Sequence, residues 1–381
     1  MQKSRRPADT PFKQQKLKAW QPILTPSYVI GSFLLLGALF IPIGVVLKGQ
    51  SDGVVEYSQQ YDGAGSIHTE CGITEANTNQ ECTIDFTANQ KMEEPVYVYY
   101  ELSNFYQNHR RYVKSISYKQ LQGKTDSADV SFTDDCQPLQ YITKPDTTNP
   151  DTSKQILLSP CGLIANSLFN DVISTTTESI AAGFGMKEEG IAWESDVEEK
   201  YLQPDGFKYE ECFDTVGDSN CSTLCNQEGW CGTAKEPYVD ADSKKYAFFY
   251  PDDINIQYLY ESYPEVVSPI EGVKNEHFIV WMRTAGLPKF RKLYGIIEKD
   301  IEKGETVSFT IKANFDVMRF GGTKSLVIST TSFFGGKNPF LGWSYIVVGG
   351  VCILLGAAFG AKHMMNPRRL GDTRYLVWKE A

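Results

Sequence analysis

Two uncharged apolar segments, one near each end, dominate the hydrophobic pattern of this chain. Residues 28–47 are twenty positions without a charge, and residues 341–361 are twenty-one. At about 1.5 Å of rise per residue, each segment forms a helix about 30 Å long, which matches the hydrocarbon core of a bilayer. The pattern predicts two transmembrane helices and assigns the 293 residues between them, 48–340, to one domain on a single side of the membrane.

The intervening domain has the pattern of a β structure. Some runs alternate polar with apolar positions, as expected of an antiparallel sheet with one wet face. A short helix is predicted after Cys161, between Leu163 and Phe169. The predicted fold class is an integral membrane α+β protein, with two transmembrane helices flanking a large, mainly antiparallel β domain. The strands are predicted at residues 96–100, 278–281, 307–311 and 325–330.

Charge sets the predicted orientation. The tail 1–27 has a net charge of +5 and the tail 362–381 a net charge of +3, so the remainder of this −10 chain holds −18. Basic flanks stay on the cytosolic side of a membrane, which places both termini in the cytosol and residues 48–340 in a lumen or outside the cell. The acidic balance of that domain argues against nucleic acid as its partner.

Cysteine usage agrees with this orientation. An even number of cysteines in a lumenal or extracellular domain is typical of disulfides. The last four are clustered and allow three pairings, and a zinc site is the less favoured reading because no CxxC pair occurs. The ninth, Cys352, lies in the second apolar segment. The eight in the domain are Cys71, Cys82, Cys136, Cys161, Cys212, Cys221, Cys225 and Cys231.

Asn220 is the acceptor of the one N-x-S/T sequence in the chain. Its neighbour Cys221 is one of the predicted disulfide cysteines. The sequence therefore marks Asn220 as the candidate glycosylation site, with occupancy left open.

Catalytic patterns are missing from the sequence. It has four histidines and no HExxH, GxSxG or DKTG motif. Neither apolar segment contains a charged residue or histidine, which argues against an ion-coupled path through this chain alone. Residues 320–325, FGGTKS, resemble the end of a phosphate loop, but a tight turn entering a strand is the favoured interpretation. The sequence predicts no enzyme activity, cofactor or metal.

The segment 104–112, NFYQNHRRY, interleaves aromatic, amide and arginine side chains in an acidic domain. One interpretation is a binding site for an anion or a lipid headgroup. The favoured one is an internal junction beneath the sheet, built from hydrogen bonds and cation–π contacts.

Several long segments, in order along the chain, resemble one family: the accessory β-subunits of type IV P-type ATPases, the phospholipid flippases (ligand-effect-modulator and cell-division-control subunits). The resemblance runs from tail to tail. Its most specific segments are 6–24, 104–114 (NFYQNHRRYVK), 160–171 (PCGLIANSLFND), 191–193 (IAW), 281–294 (WMRTAGLPKFRKLY), 320–325 and 338–349 (NPFLGWSYIVVG).

This resemblance implies a non-catalytic subunit in a heterodimer with the ATPase, whose catalytic chain carries the phosphorylated aspartate and the lipid path. It implies roles in folding, exit from the endoplasmic reticulum and flippase activity, at the endoplasmic reticulum, Golgi, endosomes or plasma membrane. It also implies the disulfides Cys71–Cys82 and Cys136–Cys161, with the cluster from Cys212 to Cys231 as extra staples.

Partner contacts are expected at Phe12, at Trp20 and in the second apolar segment. Phe12 and Trp20 belong to a basic segment that is either a short helix at the membrane surface or a disordered tail. The second apolar segment carries Gly349, Gly356 and Gly360, a small-residue pattern that lets another helix approach, whether the first span or the partner. A trimeric two-pass ligand-gated channel is the alternative function.

Overall fold

The computed structural model describes residues 7–18, 25–73, 80–124, 130–145, 153–212, 214–215, 218–219, 237–240 and 243–367. They form two compact units: one from the two chain ends, Met1–Gly53 with Ser332–Ala381, and one from Val54–Thr331. The helices are α1 (Pro26–Asp52), α2 (Arg110–Lys114), α3 (Tyr118–Leu121), α4 (Thr177–Ala181), α5 (Leu259–Ser262), α6 (Glu276–Met282) and α7 (Pro339–Met365).

The first unit contains α1 and α7, both long and apolar enough to cross a membrane. Each begins with proline, whose fixed φ suits the first helical turn. The Thr25 hydroxyl also caps α1 by accepting from the Tyr28 amide at 3.4 Å. Both helices extend beyond the uncharged segments, so the limits of the bilayer within them stay a prediction.

The second unit is rich in sheet. Its strands are β1 (Glu56–Gly63), β2 (Gln80–Thr87), β3 (Val96–Leu102), β4 (Tyr141–Pro145), β5 (Ser153–Ser159), β6 (Val172–Thr175), β7 (Met186–Lys187), β8 (Lys208–Cys212), β9 (Asp214–Thr215), β10 (Asp218–Ser219), β11 (Tyr238–Val239), β12 (Lys245–Phe249), β13 (Ile256–Tyr258), β14 (Phe290–Ile297), β15 (Thr306–Ala313) and β16 (Thr323–Ser329).

Two antiparallel sheets build the main core. One has the order β1-β16-β3-β14-β7 and the other β2-β15-β6. Side chains are buried at every second position of β3 and along β2 and β15, the alternation that the sequence predicts. The buried faces share one cluster with α6, in which Ile84, Val98, Phe309 and Trp281 are all nearly inaccessible.

Smaller sheets complete the unit: β13-β5-β4, β11-β12-β8 and β10-β9. The β13–β5 pair is parallel and the others are antiparallel. Within the described residues the fold is therefore mainly antiparallel, as predicted.

The strand predicted at residues 278–281 is wrong. These residues lie in α6, which the Asn275 side chain caps by accepting from the Phe278 amide at 3.0 Å. Phe278, Ile279 and Trp281 are all buried on the core side of this helix. Burial of a helical face outweighs the β preference of these aromatic and branched side chains.

The helix predicted after Cys161 is reduced to one 3₁₀ turn, Ala165–Ser167.

Disulfides connect the segments that the resemblance implies. Cys71 is bonded to Cys82, and Cys136 to Cys161. Cys212 also takes part in a disulfide. Cys221, Cys225, Cys231 and the candidate acceptor Asn220 lie outside the described residues.

Candidate partner-binding surfaces

The segments that carry the family resemblance meet at one aromatic cluster. The Phe105 ring lies 5.6 Å from that of Trp281 and 5.3 Å from that of Phe320, measured between centroids. The Trp281 indole donates to the Ile164 carbonyl at 2.9 Å. The Tyr112 and Ser167 hydroxyl groups share a hydrogen bond of 2.9 Å. Four segments distant in sequence are thus joined by ring contacts and buried hydrogen bonds.

Amide side chains fix the same junction. Asn104 donates to the Phe320 carbonyl at 2.5 Å, and Asn108 donates to the Gly286 carbonyl at 2.8 Å. The fully buried Gln107 accepts from the Ala285 amide at 2.8 Å. These bonds confirm the predicted internal junction, because they tie segment 104–108 to backbone groups on two other segments.

The two arginines of this segment behave differently from the favoured interpretation. Arg110 and Arg111 lie on the short helix α2 with exposed side chains. Neither pairs with a carboxylate or a ring anywhere in the described part of the chain. No cation–π contact of either arginine is found among the described residues, and both side chains are exposed on α2.

An exposed basic patch results on this acidic domain. We define it as Arg110, Arg111 and Lys114 of α2 with the preceding Tyr106, which is 56% exposed. Arg110 and Lys114 are four residues apart and share a helix face. Unpaired cations beside an exposed aromatic ring are typical of protein–protein contacts. The exposure of both arginines is not expected from the favoured interpretation of this segment as an internal junction.

A buried charge cluster joins β1, β16 and Asp171, the residue before β6. The fully buried Lys324 ammonium is 2.7 Å from the Asp171 carboxylate and 3.2 Å from the Asp62 carboxylate. The contact with Asp62 lacks hydrogen-bond geometry. It also donates to the Phe315 carbonyl at 2.8 Å. The Tyr61 hydroxyl donates to Asp171 at 2.8 Å, and burial together with the charge of Asp171 raises the pKa of Tyr61 well above its usual value.

This cluster decides between the two interpretations of FGGTKS. Gly321 adopts a left-handed conformation with φ of 62°, and β16 begins two residues later. The Lys324 side chain points into the core toward two carboxylates and cannot meet a phosphate. The tight turn entering a strand is confirmed, and the lysine is structural.

The glycines of α7 face α1. A Cβ added at Gly349 would lie 2.8 Å from the Ile41 side chain, and one at Gly356 would lie 2.9 Å from Leu34. On α1, a Cβ at Gly44 would lie 2.8 Å from the Gly342 carbonyl oxygen. Small residues therefore bring the two antiparallel helices into close contact. Gly360 is looser, with Ile30 at 3.9 Å.

Aromatic and polar contacts also hold α1 and α7 together. The Phe40 and Tyr345 rings lie 5.2 Å apart, and the Lys48 ammonium lies 5.6 Å from the Trp343 ring. Lys48 also pairs with Asp52 one turn along α1. The charge at this end of the pair is thus satisfied within the unit.

The predicted contacts of the amino-terminal segment are only partly within the described residues. Phe12 lies in a run of turns over residues 11–15, not in a helix, and is 75% exposed. Trp20 lies outside the described residues. The roles of Phe12, Trp20 and the three glycines toward another protein stay predictions.

A polar cavity of about 670 Å³ lies beside α6. Its lining includes Glu188, Glu271, Lys274 and His277, and the His277 Nε2 is 2.8 Å from a Glu188 oxygen. No group of three or more His, Cys, Asp or Glu side chains in the described ranges is arranged to hold a metal ion. The mixed charges of this cavity favour internal ion pairing over metal chemistry.

Comparison with known proteins gives consistent matches. The family model for the LEM3 (ligand-effect modulator 3) family / CDC50 family matches residues 47–369. The chain is 38% identical to ALA-interacting subunit 3 of Arabidopsis thaliana, over 98% of this chain and 91% of that protein. It is 38% identical to mouse cell cycle control protein 50A, over 93% and 88%. Phospholipid-transporting ATPase accessory subunit CRF1 of Saccharomyces cerevisiae is 32% identical, over 100% and 91%.

Proposed function

The chain belongs to the LEM3/CDC50 family, and from that premise we propose that it is the non-catalytic accessory subunit of a phospholipid-translocating type IV P-type ATPase. The observation that carries the proposal is similarity over nearly the whole length to a protein named as such a subunit. The chain is an integral membrane protein with two membrane helices flanking a disulfide-linked β domain. The same similarity favours the subunit over the channel alternative.

The distinctive segments of the chain support a structural role. Their aromatic, amide and lysine side chains are engaged in internal contacts, such as Trp281 with Ile164 and Lys324 with Asp171. The catalytic aspartate and the lipid path then belong to the partner. This chain stabilises the ATPase by burying part of its surface. The helices α1 and α7 cover one side of the ATPase helices, and the domain 48–340 covers its lumenal loops.

Orientation and location follow from the same proposal. The basic tails 1–27 and 362–381 face the cytosol, where Phe12 and Trp20 contact the partner or the lipid headgroups. Assembly permits exit from the endoplasmic reticulum toward the Golgi, endosomes or plasma membrane. Asn220 is the proposed glycosylation site.

We expect Gly356→Leu to weaken assembly with the ATPase. A leucine at this position drives into Leu34, so α7 shifts away from α1 and the surface offered to the partner changes. The measurement is the amount of ATPase that co-purifies with a tagged chain. The matched control is Gly350→Leu, because Gly350 has no neighbour within 4 Å of an added Cβ. Equal loss in both variants, or in neither, contradicts this role of the helix pair.

We expect reversal of the basic patch to reduce the same co-purification several-fold. Arg110→Glu with Arg111→Glu replaces two exposed cations by anions and so repels an acidic lumenal loop of the partner. Because both side chains are exposed, the fold of the domain should not change. Lys303→Glu, at another exposed lysine, is the control. If the control variant loses as much ATPase as the double variant, the effect is one of net charge and the patch is not the docking site.

A further inference from the structure

A cleft of about 310 Å³ opens at the end of the helix pair where α1 begins and α7 ends. Its apolar part is formed by Val29 and Ile30 of α1 and by Phe359 of α7. The volume is at the lower end of the roughly 300–1,000 Å³ range of ligand pockets. A cleft of this size has room for one segment of a lipid-sized molecule.

The rim of this cleft is cationic. Lys362 is exposed and His363 is half-buried, and both belong to the lining together with the Asn366 amide. No lining residue is acidic. Neither the Lys362 nor the His363 side chain makes an ion pair or hydrogen bond within the part of the chain that the structure describes. The rim thus offers the Lys362 ammonium, the His363 imidazole and the Asn366 amide to an external group.

The opposite end of the helix pair is different. There Lys48 pairs with Asp52 and lies over the Trp343 ring, so its charge has partners within the unit. Lys48 is thus paired, whereas the Lys362 side chain has no partner among the described residues, and this contrast singles out the cleft as a site for an external anion.

We propose that this cleft binds an anionic glycerophospholipid from the surrounding leaflet. Residues at the ends of membrane helices lie at the depth of lipid headgroups, and basic pockets between such helices hold anionic headgroups. The phosphate lies at Lys362 and His363, and an acyl chain lies along Ile30 and Phe359. The apolar floor under the cationic rim complements the acyl chain and the phosphate of this lipid. A free phosphate would contact only the rim, because it has no apolar part to cover the floor.

The test uses the full chain, purified in mild detergent together with any bound partner and reconstituted in nanodiscs. The probes are phosphatidylserine and phosphatidylcholine that carry the same photoreactive acyl chain at equal low fraction. After irradiation, mass spectrometry locates the labelled peptides of this chain. We expect phosphatidylserine to label residues 26–30 and 359–366 in preference to phosphatidylcholine. Lys362→Gln should lower that labelling about fivefold, the typical contribution of one interfacial cation, and Lys362→Arg should retain it.

Lys48→Gln at the other end is the control, and it should leave the labelling of the cleft unchanged. Three results overturn the proposal. Equal labelling by both probes means contact with bulk lipid only. No labelling of these peptides means that a partner helix or the chain's own residues fill the cleft. An equal effect of Lys48→Gln means a general loss of surface charge. The labelling is read on this chain itself, so each result stands apart from whether the proposed flippase role is correct.

Discussion

Replacing Lys324 by methionine should destabilise the sheet-rich unit by about 3–5 kcal/mol, the usual cost of removing one partner of a buried ion pair. Lys324 is fully buried, and its loss leaves Asp62 and Asp171 in the core without a counter-charge. Thermal unfolding of the full-length chain, followed by size-exclusion chromatography after heating, measures the effect. A fall of roughly 5–9 °C in the melting temperature is expected for a domain of this size.

The matched control is Lys312→Met, since Lys312 is also a strand lysine but its side chain is exposed on β15. It should shift the melting temperature little. Adding Asp62→Asn and Asp171→Asn to Lys324→Met removes the uncompensated charges and should recover part of the loss. An unaltered melting temperature in Lys324→Met itself would show that the buried charge cluster contributes nothing to stability.

Trp281→Ala should cost a similar 3–5 kcal/mol of stability. The side chain is fully buried, and it contacts Phe105 and Phe315 at ring-centroid distances of 5.6 and 6.0 Å. Truncation opens a cavity in the aromatic cluster and leaves the Ile164 carbonyl without its donor. Chemical denaturation of the detergent-solubilised chain should show a lower midpoint. Loss of the ATPase from affinity preparations should follow, because the unfolded domain cannot dock.

Trp193→Ala provides the comparison. Trp193 is 68% exposed and lies 4.9 Å below the Arg283 guanidinium, so its removal loses one surface cation–π contact of about 0.5–1 kcal/mol. If the two tryptophan variants unfold at the same denaturant concentration, the aromatic cluster is not the centre of the domain.

The sequence predicts the two long helices and the alternating strands because those elements depend on local patterns. The uncharged segments predict α1 and α7, and the alternation of polar and apolar residues predicts β3 and β15. The helix α6 was missed because Phe278, Ile279 and Trp281 favour strands locally, while packing against the sheets decides their conformation. A local signal for it existed in Asn275 followed by Glu276, a favourable start for a helix.

The buried charge cluster was beyond sequence reasoning. Lys324, Asp62 and Asp171 are far apart along the chain, and only the antiparallel pairing of β1 with β16 brings Asp62 opposite Lys324. The outward direction of Arg110 and Arg111 was equally hidden, because a helix of five residues has no periodicity from which to read a face.

Affinity purification of the tagged chain from native membranes in mild detergent, with mass spectrometry of the bound proteins, tests the proposed function most directly. The account predicts one P-type ATPase, much larger than this chain and present in equal amount. It also predicts that this ATPase is lost when Lys324→Met is purified and retained with Lys312→Met. A homotrimer of this chain with no ATPase would contradict the account and favour the two-pass channel.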